Sequence, residues 1–600
     1  MDRKGIIAVV LAIIVLVFWQ INYSRQMGEY AKAKEAAEKV EKEKAKAANP
    51  AATPTSAGTT ASGATVTAGT PGQPPAEPHV DQKLEKVPSP SVDYTFTNLG
   101  GGIAQAVLLD HIAEHGTLQR GDQDTKVTLN EFGDTPIGAV TERPGEDARA
   151  PFTTTINPQT GEATFERTDA RQVQLVKKFT VPRSKDLKGE YLIGLDVSFT
   201  NRSAQPVKID NYYVHTGSAG PIHALDQAIY TGFDWYNGNN TFKAVSSFSG
   251  GGVLGFNRSD MPVFGQPVDK LDWVGVTNQY FNTIITPANA KGTSVWARKM
   301  GVSNLPTEDP RAVAAIGSAK NNMLAVEGAI GMPGFTLAAG ETKTQHFDIY
   351  AGPREYGRLK MLGEDQDAIM DFGTLRWVSE LLLSSLNWLK AHLGSYAAAI
   401  IALTLIIRGG MWPLQNRSTE SMKKMQALNP KMTELKEKYT DDPARLNQEM
   451  MKLYKDYGVN PLSGCLPMVI QIPIFWGLFR MLAKAVELRN SHFLWIHDLS
   501  QPDTVAMILG KPLNILPLFM AVTMFLQMKL SPKSGDAAQQ KIFMFMPLMF
   551  VAFCYNYASA LALYWTVQNL FSICQLYVTR NKTNPVLQKI GGGGKKKARA

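Results

Sequence analysis

Ser395-Tyr-Ala-Ala-Ala-Ile-Ile-Ala-Leu-Thr404-Leu-Ile-Ile-Arg408-Gly-Gly-Met-Trp-Pro-Leu414 is an apolar run of membrane-spanning length with one charge inside it. As a helix, about 20 such residues cover the roughly 30 Å of a bilayer's hydrocarbon core. An arginine at that depth costs roughly 2.5–3.5 kcal/mol on insertion scales. The other C-terminal apolar stretches bring no Asp or Glu to neutralise it. A solitary cation facing a wet cavity would attract an anionic group that comes and goes. Its long side chain would equally reach the headgroups by snorkelling. On the residues alone both readings of Arg408 stand.

Four more candidate spans follow at 462–482, 513–529, 542–558 and 560–578. At the other end, Asp2-Arg3-Lys4 precede an apolar run from Gly5 to Ile21 whose flank lacks a small-x-small cleavage pattern, so 1–23 reads as an uncleaved anchor. The loops orient these six spans. Loop 415–460 holds nine Lys/Arg, whereas 486–504 holds only Arg489, and the tail 579–600 is basic without an acid. The positive-inside rule therefore places both termini, 415–460 and 530–541 in the cytoplasm, with 24–394 and 486–504 outside. Arg480, near the outer end of its span, is an exception that snorkels outward. The basic tail suits anionic headgroups or RNA, or is simply solvated.

The polar remainder explains why a chain of 600 residues with six spans is only 44% hydrophobic. Residues 24–90 read as a flexible tether, Ala/Glu/Lys-rich at 27–48 and Ala/Thr/Gly/Pro-rich at 49–90. From 91 to 352 the period turns to two. Tyr191, Ile193, Leu195, Val197 and Phe199 alternate with polar or small neighbours, and Val173, Leu175, Phe179 and Val181 keep the same parity across a polar turn. This predicts a half-buried antiparallel hairpin in a large all-β sandwich. Region 353–394 is helical, with Leu375, Val378, Leu382, Leu386, Leu389 and Leu393 on one stripe and Arg376, Glu380, Ser384, Asn387 and Lys390 on the other. Such a helix lies flat in the headgroup region or packs on the sandwich. In 415–460, two Met/Leu-seamed helices are separated at Thr440-Asp-Asp-Pro443, with Asp442 as N-cap and Pro443 as first helical residue. Their charged outer faces dock a partner or are solvated.

Catalytic parts are scarce. The five C-terminal spans contain no His, Asp or Glu, which excludes intramembrane hydrolysis and the carboxylate relay of most proton-coupled transporters. His111-Ile-Ala-Glu114-His115 fits a zinc-peptidase pattern, but it follows a strand-like run and precedes Gly116. Gly250-Gly-Gly-Val-Leu-Gly255 lacks a strand–loop–helix context and reads as a turn. Cys465, Cys554 and Cys574 all fall in spans and read as small packing residues. Thus no metal, cofactor or enzymatic activity is expected. What remains is amphiphilic: Thr404 one turn from Arg408, Gln471 between Pro467 and Pro473, and Tyr564, Trp565, Gln568 and Asn569 together in the last span. These line a polar groove or make ordinary interhelical hydrogen bonds.

Ile407-Arg408-Gly409 with Pro413-Leu414, Asn460-Pro-Leu-Ser-Gly-Cys465-Leu-Pro467, Gln471-Ile-Pro473-Ile-Phe475, Val486-Glu-Leu-Arg489, Trp495-Ile-His-Asp-Leu499, and Gln539-Gln-Lys541-Ile with Met546-Pro547 together resemble the YidC/Oxa/Alb family of membrane protein insertases. The resemblance covers nearly the whole chain and is densest from 371 to 580. It implies a five-helix core around a hydrophilic groove open to cytoplasm and lipid, with a β-supersandwich outside, in the bacterial inner membrane. Arg408 matches the groove arginine, Thr404 the polar position one turn before it, and Trp565 a place often held by a groove-facing tyrosine. The implied partners are nascent membrane proteins, the Sec translocon, ribosomes, the signal-recognition-particle pathway and membrane lipids, with no DNA. The competing readings are a solute transporter, an envelope enzyme using the β-domain, and a periplasmic scaffold.

Overall fold

The computed structural model describes residues 80–114, 125–222, 226, 228–248, 261–302, 324–440, 442–460, 466–509, 511–531, 545, 547–552 and 554–579. The expected anchor at 1–23, most of the tether, His115, the Gly250–Gly255 turn, Cys465, the 539–542 segment and the basic tail beyond Thr579 lie outside those residues. Apart from Phe545, all described residues belong to one compact unit.

The hairpin read from the alternation is the seed of the β part. Val173–Thr180 and Leu192–Asn201 pair antiparallel in the register Leu175↔Phe199 and Phe179↔Leu195. Ile193, Leu195, Val197 and Phe179 are fully buried on one face. The same parity buries Lys177, whose Nζ donates to the carbonyls of Gly100 and Gly138 and lies 4.6 Å from the Phe152 ring centroid. Burial holds its ammonium well below the usual lysine range. Around this pair, the described strands form antiparallel sheets of four, nine and five strands. Trp273–Thr277 and Phe281–Pro287 of the nine-stranded sheet pack on Val207–Ala219 and Leu324–Leu337 of the five-stranded one, which makes a sandwich. The first strand, Leu84–Pro88, pairs with Val92–Thr97 and so begins inside the stretch that reads as tether. Only Val87 of its five residues is buried, so backbone pairing rather than an apolar pattern holds it.

The helices are α1 (Tyr356–Leu362), α2 (Arg376–Leu393), α3 (Tyr396–Lys438), α4 (Pro443–Asp456), α5 (Leu466–Lys484), α6 (Ile515–Leu530) and α7 (Ser559–Thr579). Among the described residues, α3 is the helix long and apolar enough to cross a membrane, and α6 is a shorter apolar one. The expected boundary at 414/415 is absent: α3 runs 43 residues without a break, with Pro413 and Pro430 inside it. Each proline removes one backbone hydrogen bond, and here the helix continues through both. At the start of α4, the Arg445 amide donates to Asp442 Oδ1 at 3.0 Å with Pro at the first position, as the sequence predicts.

Helix α2 packs on α3 and α5 rather than on the sandwich. Val378, Leu382, Leu386 and Leu389 are buried as their stripe predicts, while Leu393 is exposed. Ser379 Oγ donates to the Gly477 carbonyl of α5 at 3.1 Å. The outward side is not the polar stripe that the spacing suggests. Trp377, Leu381 and Trp388 are exposed there, and Arg376 turns to pair with Asp367 and Glu380. Arg480 has a partner that the sequence does not reveal, Asp371 at 3.3 Å, and Lys484 Nζ reaches the same carboxylate at 3.2 Å. Farther along, Arg489 Nη2 donates to the carbonyls of Ile112 (3.1 Å) and Ala113 (3.4 Å), tying the loop after α5 to the strand Gly102–Glu114. His111 sits on that strand against Phe281 and Tyr191, on extended backbone rather than on the helix that a zinc site of its pattern needs.

Candidate substrate groove

One helix organises the polar groups. On α7, Tyr564, Gln568, Ser572, Gln575 and Thr579 recur at spacings of four and three, and all are buried. That period keeps them on one face of a helix that packs on α3, α5 and α6. An amide or hydroxyl out of water needs a partner, and most of these have one. Gln471 Nε2, from α5, donates to Tyr564 Oη at 2.7 Å and to Gln568 Oε1 at 3.3 Å. Gln575 Nε2 donates to Asn416 Oδ1 of α3 at 3.0 Å. Asn569, one residue off the stripe, donates to Thr523 Oγ1 of α6 at 3.2 Å. Ser572 and Thr579 bond back to carbonyls one turn earlier.

The sequence-predicted residues therefore separate into groups. Gln471, Tyr564 and Gln568 form one hydrogen-bonded cluster. Asn569 faces α6. Thr404 is buried and donates to the Ile400 carbonyl of its own helix at 2.7 Å, so its hydroxyl is used locally. Trp565 lies in an aromatic cluster with Phe475 (5.4 Å between centroids) and Phe550 (4.8 Å), and its buried indole N–H has no partner. Ser572, Gln575, Thr579 and Asn416 are absent from the predicted set. The i+4, i+3, i+4 continuation beyond Gln568 is the signal that finds the first three.

Arg408 is half-buried on α3, and its Nε is out of contact with solvent and without a hydrogen-bond partner. Among the described residues no carboxylate pairs with it. Helix α3 packs on α7, and Tyr564 of α7 lies within electrostatic range of the guanidinium. On the outer flank of Arg408's helical turn, Gly409 and Gly410 are exposed, and a Cβ at either would meet nothing within 4 Å. The arrangement offers an unpaired cation and several amide and hydroxyl dipoles. It holds no nucleophile–base pair, and among the described residues no group of three His, Cys, Asp or Glu could hold a metal.

Two family models match this chain. One, described as the YidC periplasmic domain, covers residues 85–385, and the other, the 60Kd inner membrane protein, covers 388–586. Similar relatives bear the description membrane protein insertase YidC. That of Syntrophus aciditrophicus is 31% identical over 96% of this chain and 99% of its own. That of Janthinobacterium sp. (strain Marseille) is 32% identical over 68% of each. A crystal structure of an active YidC insertase with its first transmembrane domain resolved aligns over 84% of this chain and 94% of that one, at 18% identity and a TM-score of 0.32. With both halves matched in order by family models and the Syntrophus aciditrophicus relative aligned over 96% of the sequence, this chain belongs to the YidC family of membrane protein insertases.

Proposed function

We propose that this chain receives nascent membrane proteins in the groove beside Arg408 and passes their apolar segments sideways into the inner membrane, without a nucleotide or metal. The observation that carries the reading is the partly desolvated guanidinium, unpaired by any described carboxylate and set beside a buried polar stripe. A permanent carboxylate partner would stabilise Arg408 and also silence it. An incoming acidic tail supplies that charge transiently; at 4 Å and an effective dielectric of 20 the attraction is about 4 kcal/mol. The polar face of α7 offers hydrogen bonds that the tail would otherwise lose on leaving water. As the apolar segment then enters lipid, about 25 cal/mol per Å² of apolar surface favours the step.

In this reading the chain has six spans, with both termini and 415–460 cytoplasmic and the sandwich periplasmic. The hairpin formed by the distal part of α3 with α4, together with the basic tail, faces ribosomes, the signal-recognition-particle pathway and the Sec translocon. The test is reconstitution of the purified chain into liposomes with a single-span protein bearing an acidic external tail. Arg408→Ala lowers insertion, Arg408→Lys largely preserves it, and neutralising the tail's acids removes the difference. Equal insertion by the Ala variant at matched protein levels refutes the charge role.

A further inference from the structure

The loop between α5 and α6 carries a feature that the groove does not use. Thr504–Ile508 and Lys511–Asn514 form a two-stranded hairpin with Ile508 paired to Lys511, so the chain turns at Leu509. A two-residue connection of this kind favours Asn, Asp or Gly, because the first position takes a left-handed backbone. Here that position is Leu509, at φ 51° and 98% exposed. Ile508 beside it and Val505 farther down the same strand are also exposed, and Lys511 is the one charge among the hairpin's eleven residues. In water this is a poor choice on both counts, conformation and hydration.

The hairpin runs straight into α6, whose exposed Leu518, Phe519, Val522 and Phe525 form an apolar side. Its base is fixed. Asp503 Oδ2 accepts from the Leu516 amide of α6 and from Trp495 Nε1, and Asn514 Nδ2 donates to the Tyr555 carbonyl. Helix α6 has 16 residues, and so is about 24 Å long against the roughly 30 Å of a hydrocarbon core. The shortfall falls within reach of the apolar hairpin at its outer end. We infer that the Thr504–Asn514 hairpin is an outer-leaflet lipid anchor, with Leu509 among acyl chains and Trp495 at the headgroup level. The inference rests on the membrane orientation given above, and its occupant is lipid, not a protein partner.

The full chain, with Cys465, Cys554 and Cys574 replaced by serine, is labelled with a nitroxide at Leu509→Cys and, separately, at Ile508→Cys. It is reconstituted into phosphatidylethanolamine/phosphatidylglycerol vesicles. Collisional relaxation is then compared between molecular oxygen, which concentrates in lipid, and a water-soluble nickel chelate. Val522→Cys on α6 is the lipid reference, and Lys208→Cys on the sandwich is the water reference. The expected result is an oxygen-to-nickel ratio at 509 shifted to that of Val522. A ratio equal to that at Lys208 overturns the anchor while leaving the orientation of α6 standing. Exclusion of both quenchers overturns it in favour of a protein covering the tip. A water-like ratio at Val522 overturns the orientation, and the anchor with it.

Discussion

Gly477 lies in the contact between α2 and α5, so a single methyl there tests how the core is held together. A Cβ built on Gly477 lies 2.9 Å from Val378 Cγ1 and 3.3 Å from Leu382 Cδ1. The obstruction is packed side chain from a helix whose Val378 and Leu382 are themselves buried, so neither can swing away freely. Gly477→Ala therefore forces the helices apart or Val378 off its rotamer, at a cost of about 1–3 kcal/mol. Separation also weakens the Ser379 Oγ bond to the Gly477 carbonyl, worth about 1 kcal/mol. Val378→Ala removes the nearest obstructing atom and restores part of the loss, with a coupling of about 1–2 kcal/mol between the two sites. Thermal melting of the full chain and the three variants in one detergent, at one scan rate, reads the cycle. The expected result is the wild type highest and the double variant destabilised by less than the sum of the two single losses. Melting of Gly477→Ala with the wild type, or a double variant at the sum of the two losses, refutes the close-packing account.

Two further outcomes are expected in the sandwich. Glu190 and Arg358 form an ion pair at 3.0 Å with both side chains under a tenth exposed, and Arg358 also donates to the Leu187 carbonyl; Glu190→Ala leaves Glu355, at 3.3 Å, as the remaining described carboxylate on that guanidinium and lowers stability by about 1.5–3 kcal/mol in chemical denaturation. Burial pushes His111 down to about 4 and His215 to about 3, with Arg489 adding to the shift at His111 and Lys177 at His215. The unfolded chain therefore takes up protons that the fold refuses. Stability from this source is complete above pH 6.5 and falls below it by about 1.4 kcal/mol per pH unit for each histidine, until the folded values are reached. Replacing both by Gln flattens the acid limb of a melting-temperature profile, and an unchanged slope below pH 6.5 refutes the assignment.

Local patterns carry much of this architecture and miss what is built between distant segments. The Val173–Val181 and Tyr191–Phe199 alternation gives the seed hairpin because a period of two ties each side chain to a face. The same parity rule places Lys177 in the core, yet a lysine in sequence reads as solvent-facing until Gly100 and Gly138 supply their carbonyls. Asp442 and Pro443 announce α4 because capping is local chemistry. Asp371 as the partner of Arg480, and the Ile112 and Ala113 carbonyls held by Arg489, leave no trace in any short window. In the candidate groove, chemistry alone singles out Arg408, Gln471, Tyr564 and Gln568, and the period of α7 extends the set to Gln575, whereas Asn416 becomes visible only when α3 and α7 lie side by side. The span end expected at 414/415 is a boundary that the fold does not make, since helix propagation outweighs the single bond missing at Pro413.

That uninterrupted α3 has a mechanical corollary. At about 1.5 Å per residue its 43 residues make a rod near 65 Å, roughly twice the span of the hydrocarbon core. Whatever grips the distal arm beyond Met432 holds a lever that carries Arg408 about a third of the way from its far end. The exposed Gly409-Gly410 pair, followed by Pro413, concentrates its compliance one turn from the guanidinium. Under the proposed function, a displacement of the arm would be felt as a small tilt of the charge.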